Sequence, residues 1–240
     1  MIKVEHLYKS FGDTPVLKDI SIEYLPGKCN MVIGASGSGK TVLLKTLIGL
    51  YEPDSGSIWY GGEDLASMTY GQKKRLRQRI GMLFQASALF DFATVLENIM
   101  FPMDFCTGWS KKEKIERARF CLDRVNVKDA DRKYPNELSG GMQKRVGIAR
   151  AIALNPEFLF CDEPNSGLDP YTSSLIDELI SEITREYNMT TVINTHDMHS
   201  IKTIGDNIGF IGNGRLLWQG DKDSIDGTDC PELRKFLGIR

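Results

Sequence analysis

Three clusters of residues in this chain carry the chemistry. The first is Gly34-Ala35-Ser36-Gly37-Ser38-Gly39-Lys40-Thr41, which runs into Val42. Glycines at this spacing let the backbone curl so that successive N–H groups point inward, an anion nest at a helix N-terminus. Lys40 can then reach the β- and γ-phosphates of a nucleotide, and the Thr41 hydroxyl can bind Mg²⁺. The second cluster is Asp162-Glu163, two acids closing the apolar run Phe158-Leu-Phe-Cys161. A carboxylate at the end of a buried strand faces the ligand crevice of an open α/β sheet. Asp162 is placed to sit near Mg²⁺, directly or through water, and Glu163 to orient and deprotonate an attacking water. The third is Leu138-Ser139-Gly140-Gly141, where Ser139 can cap a helix and two glycines let backbone N–H groups approach a ligand; its spacing alone reads as a plain helix start, and its order among the other motifs gives it the ligand role.

These residues need strands and helices to hold them. Cys29-Asn-Met-Val-Ile33 reads as a buried strand before the glycine loop, and Val42 to Leu50 as a helix after it. That strand–loop–helix context separates a phosphate site from a Gly/Ser surface turn. Further strands are expected over Ile2–Val4, Ile20–Tyr24, Ser57–Tyr60, Ile80–Phe84, Thr191–Asn194, Ile208–Ile211 and Leu216–Trp218, with turns at Gly12-Asp13 and Pro26-Gly27. From Val95 to Leu154 the pattern is helical throughout. Ser110 with Glu113 is a capping box for a helix reaching Arg124, and a second helix runs from about Gly141 and stops before Pro156. Pro170 to Glu186 reads as a helix with proline at its first position. Strands alternating with helices imply a parallel sheet covered on both faces.

Composition sets outer bounds. The 240 residues are 41% hydrophobic and 26% charged, ordinary for a globular chain, and the net charge of −2 provides no drive toward nucleic acid. The basic run Lys73 to Arg79 reads as a solvated helix face. Cys29, Cys106, Cys121, Cys161 and Cys230 match no zinc template and point to a reducing, cytosolic setting. No run approaches the roughly 18 apolar residues of a membrane-crossing helix; the most apolar region, Ala86 to Phe105, is interrupted by Asp91, Glu97, Asn98 and Asp104.

The order of these features resembles the nucleotide-binding subunit of ATP-binding cassette (ABC) transporters, over roughly Ile2 to Gly220. Gly34–Thr41 is similar to the Walker A loop, Phe158–Glu163 to the Walker B strand, and Leu138-Ser-Gly-Gly-Met142 to the family's signature. Gln85 matches the Q-loop glutamine, Ser166-Gly-Leu-Asp169 the D-loop, His196 the switch histidine, and Phe11 the aromatic that stacks on adenine. The resemblance implies a P-loop NTPase fold: a mostly parallel core sheet, an N-terminal antiparallel β subdomain and an inserted α-helical subdomain. It places the catalytic core with the β subdomain in 1–84 and 156–220, the helical subdomain in 86–155, and a short helical tail in 221–240.

It also implies an ATPase using ATP and Mg²⁺. Two copies would meet head to tail, with Leu138 to Met142 of one facing the γ-phosphate held by Lys40 of the other. Glu163 would be the general base and His196 would contact the γ-phosphate. Thr41, Asp162 and Gln85 would attend the metal, Gln85 also reporting to a membrane partner, and Asp169 would belong to the dimer contact. The chain departs from the family pattern at Met142, where glutamine is common, at Asn165, where threonine is frequent, and at Phe11, where tyrosine is commoner. His6 and His199 match no family position and read as structural or surface residues.

The run Leu138 to Arg150 and the segment Met82–Phe90 with Val95–Pro102 are similar to the Mla-type lipid transport ATPases, which work with permeases and MCE-domain binding proteins. The expectation is a homodimer bound to integral-membrane permeases on the cytoplasmic side of the inner membrane, driving phospholipid transport. An importer for amino acids, metals or other small solutes is the alternative.

Overall fold

The computed structural model describes residues 1–239. The chain begins with β1 (Ile2–Phe11), β2 (Thr14–Tyr24) and β3 (Lys28–Ile33), followed by α1 (Lys40–Leu47), β4 (Ser55–Tyr60), β5 (Glu63–Asp64), α2 (Tyr70–Gln78) and β6 (Ile80–Leu83). Three helices come next: α3 (Val95–Cys106), α4 (Lys111–Arg124) and α5 (Gly140–Ala151). The chain then alternates through β7 (Phe158–Asp162), α6 (Pro170–Glu186), β8 (Thr190–Thr195), α7 (Met198–Ile204), β9 (Asn207–Gly212) and β10 (Arg215–Gly220), ending in α8 (Pro231–Leu237).

Two sheets result. An antiparallel sheet has the order β2-β1-β4-β5, and a six-stranded sheet has the order β10-β9-β3-β8-β7-β6. In the larger sheet β3 pairs in parallel with β8 and β9, and β7 pairs in parallel with β8 and β6; β10 alone runs antiparallel, at the edge beside β9. The central strands are covered on both faces, which is why they read as unbroken apolar runs. Alternation along them still sorts the side chains. Val32, Phe158, Phe160 and Val192 join one core with the antiparallel sheet and Leu43, Leu44 and Leu47 of α1. Met31, Ile33, Leu159, Cys161 and Ile193 point the other way, into a core shared with α3 to α7. Residues such as Ile99, Leu122 and Val146 belong to that second core, so the inserted helices share apolar packing with the sheet.

The helix starts follow local chemistry. Thr69, Thr94 and Ser110 each accept from the third backbone N–H of their helix, and Gln72, Glu97 and Glu113 reach back to close the box. Asp169 caps α6 by accepting from Thr172 N at 3.0 Å. The first two strands extend well past the expected Ile2–Val4 and Ile20–Tyr24. Their pairing shifts register between Val4 and Leu7 and again near Lys9, with His6 and Asp19 in left-handed backbone. Such bulges erase the two-residue alternation that marks a strand in sequence. The expected C-terminal tail contains α8, whose Leu233 is fully buried; Arg240, the tail's last residue, lies outside the described residues.

Candidate active site

The glycine loop joins the end of β3 to α1. Gly34 stands at φ 153, and a Cβ there would lie 2.2 Å from the Ile211 carbonyl oxygen, so only glycine lets the loop pass so close to β9. Gly39, in left-handed conformation, precedes the first turn of α1. Lys40 curls over the loop, its Nζ donating to the carbonyls of Gly34 at 2.8 Å and Ala35 at 3.1 Å. Burial lowers its pKa, while the Glu163 and Asp162 carboxylates work in the opposite direction. A desolvated ammonium amid backbone donors is suited to take an anion. The buried Ser38 hydroxyl has no protein partner.

β7 and β8 deliver the acids and the histidine to the same end of the sheet. Asp162 Oδ1 receives Thr41 Oγ1 at 3.5 Å and the Asn194 amide at 3.2 Å. This hydroxyl–carboxylate pair beside the loop fits a hard, oxygen-seeking cation such as Mg²⁺ that arrives with phosphate oxygens. Glu163 has left-handed backbone at φ 49, and its N–H is held by the Asn194 carbonyl at 2.9 Å. A non-glycine residue forced there stores about 1–3 kcal/mol of strain, a cost found at sites where side-chain aim matters. Its carboxylate meets His196 Nδ1 at 2.9 Å. His196 stands just before Asp197, which caps α7 by accepting from His199 and Ser200 N–H. Gln85, just after β6, donates to Ser166 Oγ at 3.3 Å.

A cleft of about 840 Å³ collects these groups: Ala35 to Gly37 and Gly39 to Val42 line one wall, and Gln85, Glu163 and His196 the other. Leu138 to Met142 lie outside that lining. Ser139 does cap α5, accepting from Met142 N at 3.3 Å. Asp169 is engaged as the α6 cap. Phe11 is also outside the cleft lining, 45% exposed and edge-on to Tyr51 at 5.2 Å.

Other residues were not legible as site components. Lys144 is buried and its ammonium donates to the Gln85 carbonyl; burial depresses its pKa, with Cys161 and Glu163 acting against that. Arg150 donates to the carbonyls of Ser87 and Ala88, both at 2.7 Å. The only sequence signal for these two is a pair of cations on a helix that is otherwise largely buried. Gly147 brings α5 against the loop, since a Cβ there would lie 2.8 Å from Leu83 and 3.4 Å from Ser87. Asn165, visible in sequence only as a departure, is 8% exposed and bonded to Asp177 and Ser200. Phe236 of α8 reaches the cleft wall.

Comparison with known proteins gives the chain its family and its structural relatives. The family described as ABC transporter matches residues 17–166. The chain is 36% identical over its whole length to the probable ribonucleotide transport ATP-binding protein mkl of Mycobacterium leprae, spanning 69% of that protein. It is 38% identical over 99% of its length to the methionine import ATP-binding protein MetN of Clostridioides difficile, spanning 74% of it. Among solved structures, a dimeric bacterial ABC transporter cassette superposes with a TM-score of 0.83 at 29% identity, covering 92% of this chain and 99% of that one; a post-hydrolysis dimer bound to ADP and Pi matches equally well. The cbiO1 protein of Clostridium perfringens, part of an ABC transporter complex, gives a TM-score of 0.87 at 29% identity, covering 100% of this chain and 94% of that one.

Proposed function

The chain belongs to the ABC transporter family as an ATP-binding, ATP-hydrolysing subunit, and from that premise we propose the roles of its residues and its cargo. Cassettes of this family dimerise and pair with membrane permeases, and their substrate is ATP with Mg²⁺. The single observation that carries the catalytic reading is the convergence of Lys40, Thr41, Glu163, His196 and Gln85 on one cleft. The loop from Gly34 to Thr41 binds the phosphates, and Thr41 with Asp162 holds the cation. Mg²⁺ supplies charge neutralisation on the phosphate oxygens. Glu163 takes the proton of the attacking water, and His196, hydrogen-bonded to it, fixes the direction of its carboxylate. Phe11 contributes an aromatic face for the base. Ser139 with Gly140 and Gly141 serves the partner copy's phosphate, since these residues stand outside their own chain's cleft.

The membrane partner's seat is the groove beside Gln85. Met82, Phe84, Ala88, Phe90, Phe101, Pro102 and Arg150 line a depression of about 370 Å³. Phe90 packs against Phe92 and Phe101 with the rings tilted, as does Phe101 against Phe105, while Phe92 is 83% and Phe105 71% exposed. Aromatic side chains left in solvent beside the catalytic glutamine support a protein partner at this surface. Among the described residues no helix is long and apolar enough to cross a membrane, in keeping with peripheral attachment through that groove.

For cargo, the proposal is phospholipid moved between bacterial membranes, with the cassette on the cytoplasmic side of the inner membrane and an MCE-domain protein in the assembly. It is supported by the similarity of Leu138–Arg150 and of Met82–Phe90 to lipid transport ATPases. A second reading, import of a small solute, is supported by one relative's role in methionine import and fits the other's probable ribonucleotide transport. Purification of the chain with its membrane partners decides between them. Co-purifying MCE-domain protein is the expected result; a periplasmic small-solute-binding protein in its place contradicts the lipid reading.

A further inference from the structure

Behind the cleft, three loops or helices meet at a buried polar cluster. Asn165 follows Glu163 by two positions, Ser200 follows His196 by four, and Asp177 projects from α6 between them. All three are buried, with Asp177 and Ser200 each 1% exposed. Asn165 Nδ2 donates to Asp177 Oδ1 at 2.8 Å and to Ser200 Oγ at 2.9 Å. Both amide hydrogens are thereby used. Two acceptors remain without partners: Asn165 Oδ1 and Asp177 Oδ2. An ionised Asp177 has no hydrogen to offer either of them. The Ser200 hydroxyl also bonds to the Asp177 carboxyl, yet Asn165 Oδ1 and Asp177 Oδ2 still lack partners, and a proton on Asp177 Oδ2 offers Asn165 Oδ1 the donor it lacks.

We propose that Asn165, Asp177 and Ser200 form a positioning lock in which Asp177 is a neutral carboxylic acid, donating from Oδ2 to Asn165 Oδ1 while accepting at Oδ1 from Asn165 Nδ2. The reciprocal acid–amide pair ties the segment after Glu163 to α6, and the bond from Asn165 to Ser200 ties it to α7. The Glu163–His196 contact at 2.9 Å lies between the two tied segments. Asn165 suits this role because a carboxamide offers two donor hydrogens and an acceptor in one plane; a threonine hydroxyl has a single hydrogen and cannot donate to both Asp177 and Ser200. The electrostatic surroundings agree. Burial raises the Asp177 pKa; the Asp197 carboxylate on the α7 side adds to this, His199 and the bonds from Ser200 and Asn165 act against it, and Cys161 of β7 is the other titratable group facing it. Asp177 is a positioning residue: it acts through Asn165 and Ser200 and touches no substrate.

The protonation state is read directly on the intact chain. With ¹³C-labelled aspartate, the resonance lost in Asp177→Asn identifies the Asp177 carboxyl. The expected result is a carboxylic-acid signal at neutral pH; a carboxylate signal there overturns the proposal. The functional half rests on the roles proposed for Glu163 and His196, whereas the resonance does not, so the two can fail separately. In turnover, Asp177→Ala is expected to lower kcat about ten- to a hundredfold with little change in the KM for ATP. Asp177→Asn, which keeps a neutral donor and acceptor, is expected to restore most of that loss. Equal losses in both variants contradict the lock. Stability provides a third readout. A raised carboxyl pKa means the folded chain holds its proton while the unfolded chain releases it, so the wild type loses stability as pH rises from about 3.8 towards the folded value. The Asp177→Asn variant has no such proton to lose, and its Tm should gain on the wild type across that window; parallel curves contradict the neutral acid.

Discussion

Under the roles proposed for Glu163 and His196, their 2.9 Å contact sets what substitution does. Glu163→Gln keeps the shape and removes the base, so kcat is expected to fall about 10²–10⁴-fold with ATP binding retained, as measured by steady-state hydrolysis alongside nucleotide binding. Undiminished turnover would show that the base lies elsewhere. Lys144 is the less obvious residue. Its ammonium secures the Gln85 carbonyl without a hydrogen-bonded carboxylate of its own. Lys144→Met leaves that carbonyl unpartnered, and the chain should lose about 1–3 kcal/mol of stability, seen as a lower denaturation midpoint, together with kcat. Lys144→Arg should recover part of both. The glycine loop and both acids were readable from residue type and place, because each must present a particular group at a strand end or helix start, whereas Gln85 and His196 were marked only by the family resemblance. Lys144, Arg150 and Asn165 were not readable, since their roles consist of bonds to partners 59 to 63 residues away or to side chains on α6 and α7.

At the scale of elements, α5 is the part that joins two functions. Its N-terminus carries Ser139 and the signature glycines, while its middle grips the loop after β6 through Lys144, Gly147 and Arg150. Gly147→Val places side-chain atoms where Leu83 and Ser87 already stand, and overpacking of that kind costs about 1–3 kcal/mol. The expected outcome is a lower melting temperature and a parallel loss of ATPase stimulation by the membrane partner. On the groove side, Phe92→Ser with Phe105→Ser alters exposed rings, so pull-down of permease should drop while nucleotide binding by the isolated chain stays unchanged. Retained permease binding would place the partner elsewhere. The parallel strands and most helices were visible in sequence through caps and apolar runs, Ser110 and Pro170 marking where α4 and α6 begin, whereas the short α7 was not. The hairpin of β1 and β2 was only half visible, because its bulges break the alternation by which a strand is recognised.

At the scale of the whole molecule, the proposed roles leave one copy with an incomplete site. The cleft gathers the loop, Glu163 and His196, whereas Ser139 caps α5 outside it and Gly140 and Gly141 form that helix's first turn. A second copy brought head to tail adds a helix N-terminus and excludes water from the phosphates, which is where donors aimed at developing charge are worth most. The central claim is therefore that hydrolysis occurs in a composite site shared between two chains. Mixing two inactive variants tests it most directly. Lys40→Ala disables the phosphate loop and Ser139→Arg disables the signature. In a mixed dimer the intact loop of one chain faces the intact signature of the other, while the second site holds both defects. Equal mixing should restore about a quarter of wild-type turnover, since half the dimers are mixed and each has one working site of two. A mixture no more active than either variant alone would contradict the shared site.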